Sequence, residues 1–148
     1  METFRFSKRS KNSLAGLHPD LVWIAARGLV LSPMDFVVTE GLRSLERQKR
    51  LVAEGKSKTT RSMHLRQKDG WGHSFDVYAL PTPGGSWDIE HYRPIAEAMY
   101  AAAQELGVKL TWGGEWGWDC PHFQLDTMDG LVRSTTERAA GLKTAAWT

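Results

Sequence analysis

Asp119, Cys120, Pro121 and His122 set a carboxylate and an imidazole three positions apart, inside the aromatic stretch WGGEWGWDCPHFQL from Trp112 to Leu125. Two further potential metal ligands, His64 and Asp76, lie well upstream. In an extended segment a spacing of three sends two side chains to opposite faces, and a bend at Pro121 is what would bring both into one cleft. A hydrolytic zinc takes three ligands from His, Asp, Glu or Cys and keeps one position open. It acidifies water and polarises a carbonyl, while a carboxylate off the metal carries the proton to the leaving amine. His64, Asp76 and His122 supply such a set, with Asp119 as the carboxylate beside it.

Each of these residues also has a plainer use. His64 could be a surface histidine, Asp76 a turn cap, His122 a packed ring and Asp119 a loop carboxylate. Cys120 lacks a base partner and reads as a small buried residue rather than a nucleophile. His18, before Pro19, and His91, early in a helix, read as structural.

Positioning these groups requires a scaffold, and the pattern of the chain outlines one. Residues 1–13 read as an irregular start. Leu14, Leu17, Leu21, Ile24, Ala25 and Leu29 recur near helical spacing, so a helix is expected over 13–31, entered properly at Pro19. Phe36 to Thr39 is a β-branched run and reads as a strand. Ser44 to Glu54 reads as a charged helix with Ser44 as cap and Gly55 as stop. Phe75 to Leu80 is a strand, Pro81 to Ser86 a loop, and Asp88 to Leu106 a long amphipathic helix stopped by Gly107. Val108 to Trp112 and Phe123 to Leu125 complete the strands. Residues 127–148 are expected to form a C-terminal helix or tail. Helices and strands do not alternate regularly, so the class is α+β rather than doubly wound.

Composition narrows the partners. The 148 residues carry 41% hydrophobic and 24% charged residues, the balance of a globular chain, and suit one domain over 1–148 with its core at about 4–126. A net charge of +2 is too weak and scattered for nucleic acid. Basic residues within 5–11 and 43–68 either draw the chain to anionic wall surfaces or form a solvated face. The single cysteine allows no intrachain disulfide. The polar start METFRFSKRSKNS lacks the apolar core of a secretory signal, and no stretch suits a membrane span. Seven tryptophans offer either a platform for sugars or peptides or a bulky core.

Ser62-Met63-His64, Gly72-His73-Ser74-Phe75-Asp76 and Asp119-Cys120-Pro121-His122-Phe123 together resemble the zinc signature of the M15 peptidases, which include VanY-like D,D-carboxypeptidases and phage endolysin L-alanyl-D-glutamate endopeptidases. Glu40-Gly41-Leu42-Arg43-Ser44 resembles their Gly-x-Arg-Ser segment. Trp112-Gly113-Gly114-Glu115-Trp116, with Phe6-Ser7 and Leu17-His18-Pro19, resembles the endolysin branch. The resemblance covers about residues 4–126. It implies a Hedgehog/D,D-peptidase-like α+β domain with a small antiparallel sheet flanked by helices. It implies zinc on His64, Asp76 and His122, Asp119 as general base and acid, and Arg43 in the cleft on a substrate carboxylate or the oxyanion. A structural ion pair of Arg43 with Glu40 or Glu46 is the alternative.

The pattern departs at 65–71 (LRQKDGW), a longer insert than the family has, and at Ser74, where Ala is usual. The insert leaves His73 as a rival ligand. Alternation turns His73 away from Asp76, to the second shell or surface. Gln124, where an acid is common, is expected to face outward.

The resemblance thus implies a monomeric, zinc-dependent endolysin that hydrolyses the L-Ala–D-Glu bond of the peptidoglycan stem. It would accumulate in the host cytoplasm without a signal peptide, without stable membrane insertion, and act on the wall after release. The alternatives are a D,D-carboxypeptidase on the same scaffold and a non-catalytic zinc module that binds the wall.

Overall fold

A computed structural model describes residues 4–81 and 84–126. The expected helix or tail over 127–148 lies outside the described residues. Five-residue β1 (Phe36–Glu40), β2 (Ser74–Ala79), β3 (Leu110–Trp112) and β4 (His122–Leu125) form one sheet of order β1-β2-β4-β3, with every neighbouring pair antiparallel. The helices are α1 (Lys8–Leu14), α2 (Pro19–Leu31), α3 (Leu45–Ala53) and α4 (Ile89–Leu106). The class is therefore α+β, as expected.

Side-chain alternation divides the sheet into two chemically different faces. Phe75, Val77 and Ala79 of β2 and Phe123 and Leu125 of β4 are buried in the core with Leu21, Ile24, Leu29, Tyr92, Ile95 and Met99 from α2 and α4. The rings of Phe75 and Phe123 stack with centroids 5.6 Å apart. The intervening residues Asp76, His122 and Gln124 point to the other face, which is open to a cleft. On the far side of the core, α2 packs on α4, and Arg27 donates to both Glu105 carboxylate oxygens across that contact.

Local signals account for the element ends. Ser44 accepts the Arg47 N–H and Asp88 accepts the Glu90 N–H, capping α3 and α4. Gly107 ends α4 at φ 76°, a left-handed conformation that favours glycine. The N-terminal segment differs from the expected irregular start. Ser7 caps α1 by accepting the Ser10 N–H, and the Ser10 hydroxyl, fully buried, accepts the Val38 N–H of β1. This short helix was hidden because its inward face is one serine and one leucine, Ser10 and Leu14, rather than an apolar stripe. The helical spacing from Leu14 onward spans two helices, since the chain turns between Ala15 and His18 before Pro19 starts α2.

Candidate metal centre and cleft

Strand register assembles the centre. Asp76 sits opposite His122 across β2–β4, and opposite Glu40 across β1–β2. Simple alternation would put Glu40 on the core face with Phe36 and Val38. An irregularity between Val38 and Glu40 shifts the register, as a bulge does, and turns Glu40 to the cleft side. Glu40, Asp76 and His122 thus form a row across three strands.

His64 reaches this row from a turn. Its N–H is accepted by Ser62 Oγ, its carbonyl accepts the Arg43 N–H at 2.8 Å, and the neighbouring Met63 carbonyl accepts the His73 N–H. The turn is thereby pinned both to the β1–α3 connection and to the segment entering β2. His64 is 4% exposed and His122 7%, with ring centroids 5.2 Å apart.

The chemistry of the donor set calls for a cation. His64 Nδ1 lies 2.8 Å from the Gly41 carbonyl oxygen, and its Nε2 lies 3.3 Å from Asp76 Oδ1. His122 Nδ1 lies 3.1 Å from the same Asp76 oxygen, and its Nε2 lies 2.8 Å from Gln124 Oε1. Both rings therefore meet an oxygen acceptor at each nitrogen, whereas a neutral imidazole has only one N–H. Either both rings carry two protons beside one carboxylate, or a cation occupies the space between Nε2, Nδ1 and Oδ1. The three ligand atoms lie within 4.8 Å of one another, so His64, Asp76 and His122 fit a metal with both rings neutral. Burial alone would raise the Asp76 pKa, but hydrogen bonds from His122 and His64 hold it well below the usual carboxylate range. Burial alone would lower His122, yet its bond to Asp76 raises it above the ordinary histidine value.

Asp119 enters the same cleft because the chain bends before β4. Cys120 and Pro121 form a turn in which the His122 N–H donates to the Asp119 carbonyl at 3.1 Å. This is the bend that the Asp119–His122 spacing required. Burial pushes the Asp119 carboxyl above its ordinary value, against the pull of His122. Trp116 stacks at 5.5 Å on His122 and at 5.5 Å on Trp118, giving the cleft an aromatic wall. Trp112 instead joins the core.

Arg43 lines the cleft, and it is also ion-paired. Its Nε donates to Glu40 Oε1 at 2.7 Å and its Nη1 to Gln48 Oε1 at 2.7 Å. Cleft placement and structural pairing, posed as alternatives, coexist, with Glu40 as the partner.

Two residues stand elsewhere than expected. Gln124 does not face outward; it is half-buried in the cleft and holds His122 from behind. The only prior signal was its i+2 position on the strand that carries His122. His73 is neither at the surface nor beside the metal ligands. It is 3% exposed, bonded through Nε2 to Asp69 Oδ2 at 2.7 Å and packed edge-on against His18. His18 is the N-cap of α2, and its Nε2 is 3.9 Å from the same Asp69 oxygen. The longer insert is thus clamped to the α1–α2 junction rather than free at the cleft rim. Cys120 is half-buried against the core, and burial raises its thiol pKa, which suits a packing role.

Residues 2–131 match the family model of the phage L-alanyl-D-glutamate peptidases. The L-alanyl-D-glutamate peptidase of Escherichia phage T5 is 31% identical over 118 residues, covering 77% of this chain and 82% of that protein. The crystal structure of the Serratia marcescens L-Ala D-Glu endopeptidase ChiX superposes with a TM-score of 0.74 at 45% identity, covering 84% of this chain and 91% of that one. With residues 2–131 matched and most of its length shared with these relatives, the chain belongs to the phage L-alanyl-D-glutamate peptidase family.

Proposed function

We propose that this protein is a zinc endopeptidase that hydrolyses the L-Ala–D-Glu bond of peptidoglycan stem peptides, in the manner of a phage endolysin. The observation that carries this reading is the pair of buried histidines, each with an acceptor at both ring nitrogens, around one carboxylate oxygen. Family membership supplies the bond and the substrate class.

His64, Asp76 and His122 would hold the ion. Zinc bound there supplies Lewis acidity toward the scissile carbonyl and lowers the pKa of water. Asp119 takes the proton from the attacking water and passes it to the leaving amine of D-Glu. Arg43, oriented by Glu40 and Gln48, places a guanidinium in the cleft for charge that develops on the carbonyl oxygen. No described helix is long and apolar enough to cross a membrane. We place the action on the cell wall, by a monomer released from the host cytoplasm.

Metal analysis and mass spectrometry of digested muropeptides test this together. The wild-type protein is expected to carry zinc and to generate new N-terminal D-Glu. Asp119→Ala should keep the metal and lose cleavage, and His122→Ala should lose the metal. Release of terminal D-Ala with intact L-Ala–D-Glu bonds would replace the reading with a D,D-carboxypeptidase. Metal without any cleavage would replace it with a binding module.

A further inference from the structure

The segment 55–61, which leads into the turn of His64, contributes Lys56, Lys58 and Arg61 to the lining of the cleft. The cleft is large, about 730 Å³, and Trp116, Trp118 and Asp119 also line it. Most of its cations already have partners. Arg43 and Arg47 share Glu40 Oε1, and Lys56 Nζ is 3.5 Å from Glu54. No carboxylate lies within ion-pair distance of Lys58 or Arg61 among the described residues. Two exposed cations with no carboxylate partner among the described residues therefore line the same cleft as His64, Asp76 and His122.

This segment is fixed by buried chemistry. Gln48, 0% exposed, donates through Nε2 to the Thr59 carbonyl at 2.7 Å and to Ser57 Oγ at 2.9 Å. The Lys56 and Ser57 N–H groups donate to the Leu51 carbonyl at the end of α3, and the Arg61 N–H donates to Thr59 Oγ1. The Oε1 of the same Gln48 accepts from Arg43. One buried amide thus sets the cationic segment and Arg43 in fixed relation to each other, as a preorganised binding wall requires.

We propose that Lys58 and Arg61 form a carboxylate-recognising wall that selects the acidic limb of the substrate on the amine side of the scissile bond. The inference rests on the peptidase reading above and specifies its substrate. In a stem cut before a γ-linked D-Glu, that residue keeps its α-carboxylate, and a diamino dicarboxylic acid after it adds another. This limb is an anionic peptide, complementary to the two cations. The aromatic wall beside His122 offers no charge and is left to the uncharged L-Ala side.

The test compares two synthetic stem peptides that differ only in those carboxylates, one as acids and one with both amidated. Steady-state kcat and KM are measured for the zinc-loaded wild type and for Lys58→Gln/Arg61→Gln. The wild type is expected to show a KM about tenfold lower for the acid form, the size that two solvent-exposed charge pairs supply. The double variant should bring that ratio to within about twofold. Lys58→Glu/Arg61→Glu should invert the preference. Equal KM values in the wild type, or a ratio that survives the double substitution, would overturn the wall while leaving the peptidase reading intact. Failure of the zinc-loaded wild type to cleave either peptide would remove the peptidase reading, and the wall with it.

Discussion

Gln124 Oε1 lies 2.8 Å from His122 Nε2, so the imidazole whose Nδ1 faces Asp76 is held from behind by a neutral amide two residues along the same strand. The amide fixes the ring orientation and requires the proton on Nε2, which leaves Nδ1 as a lone-pair donor. Gln124→Ala should weaken zinc binding by roughly 10- to 100-fold, the usual cost of removing such an outer partner. A competition titration against a chromogenic chelator reads this directly. Gln124→Glu restores an acceptor and should keep the affinity at least at the wild-type level; an affinity as low as that of the alanine variant would remove Gln124 from the orienting role.

Gly113 is a second support, acting by contact rather than by hydrogen bonding. A Cβ at this position would lie 2.3 Å from the Asp119 carbonyl oxygen and 3.1 Å from His122 Cβ. Backbone cannot yield as a flexible side chain does, so Gly113→Ala must push the turn that carries Asp119 away from β3. The expected cost is about 1–3 kcal/mol of stability, typical of overpacking. Activity should fall further than stability alone explains, because the proton carrier moves while the ligands on β2 and β4 stay paired. Equal losses measured by thermal melts and by kcat/KM would show that the turn relaxes without displacing Asp119.

Which parts of this site were legible beforehand follows from periodicity. Asp76 and His122 alternate with Phe75, Val77 and Phe123, and that pattern of two is visible in the letters. Pro121 between Asp119 and His122 marked the bend. Glu40 was named in a motif and as a possible partner of Arg43, but its turn into the cleft was not legible, because a register shift re-aims one residue and leaves no compositional trace. Gln48 was invisible for a related reason: a single buried amide on a charged helix looks like surface. The anchoring of the insert 65–71 was not legible because it brings Asp69 and His73 against His18, far away in sequence. The α1 helix escaped notice because a serine, not an apolar residue, makes its contact with β1.

The anchor of that insert has a pH signature. Burial would raise Asp69, but the Trp71 N–H and the His73 ring outweigh it and hold the carboxyl below its ordinary value. A carboxyl lowered on folding contributes stability that is fully present above its unfolded pKa, about 3.9, and that is lost as pH falls through the lower folded value. Hydrogen exchange of residues 65–72 should therefore accelerate as pH drops below about 4, after correction for intrinsic rates. Asp69→Asn, which cannot ionise, should show faster exchange near neutral pH and no further acid step. An unchanged acid step in that variant would assign the effect to another carboxylate.

Glu40 tests whether the register shift in β1 matters for chemistry. Its Oε1 accepts from Arg43 Nε at 2.7 Å and Arg47 Nε at 3.2 Å, and the Arg43 side chain is only 10% exposed. Burial raises the Glu40 carboxyl, and the bond and charge of Arg43 more than reverse this, leaving it below the ordinary glutamate range. Glu40→Gln keeps the shape and an acceptor but removes the charge. Arg43 then keeps two neutral partners, the introduced amide and Gln48, in place of one charged and one neutral. A charge-assisted bond exceeds a neutral one by about 1 kcal/mol, so stability should drop by that order at neutral pH. Because the lost contribution belongs to an ionised carboxylate, the difference between the two proteins should vanish as pH falls through the folded Glu40 value. For catalysis, a guanidinium less firmly aimed should lower kcat by roughly fivefold, since about 1 kcal/mol of transition-state stabilisation is at stake. Zinc content should stay the same, as Glu40 bonds none of His64, Asp76 or His122. A variant with normal kcat and normal stability would mean that Gln48 alone orients Arg43, and that the shift which turns Glu40 into the cleft serves β1 pairing only.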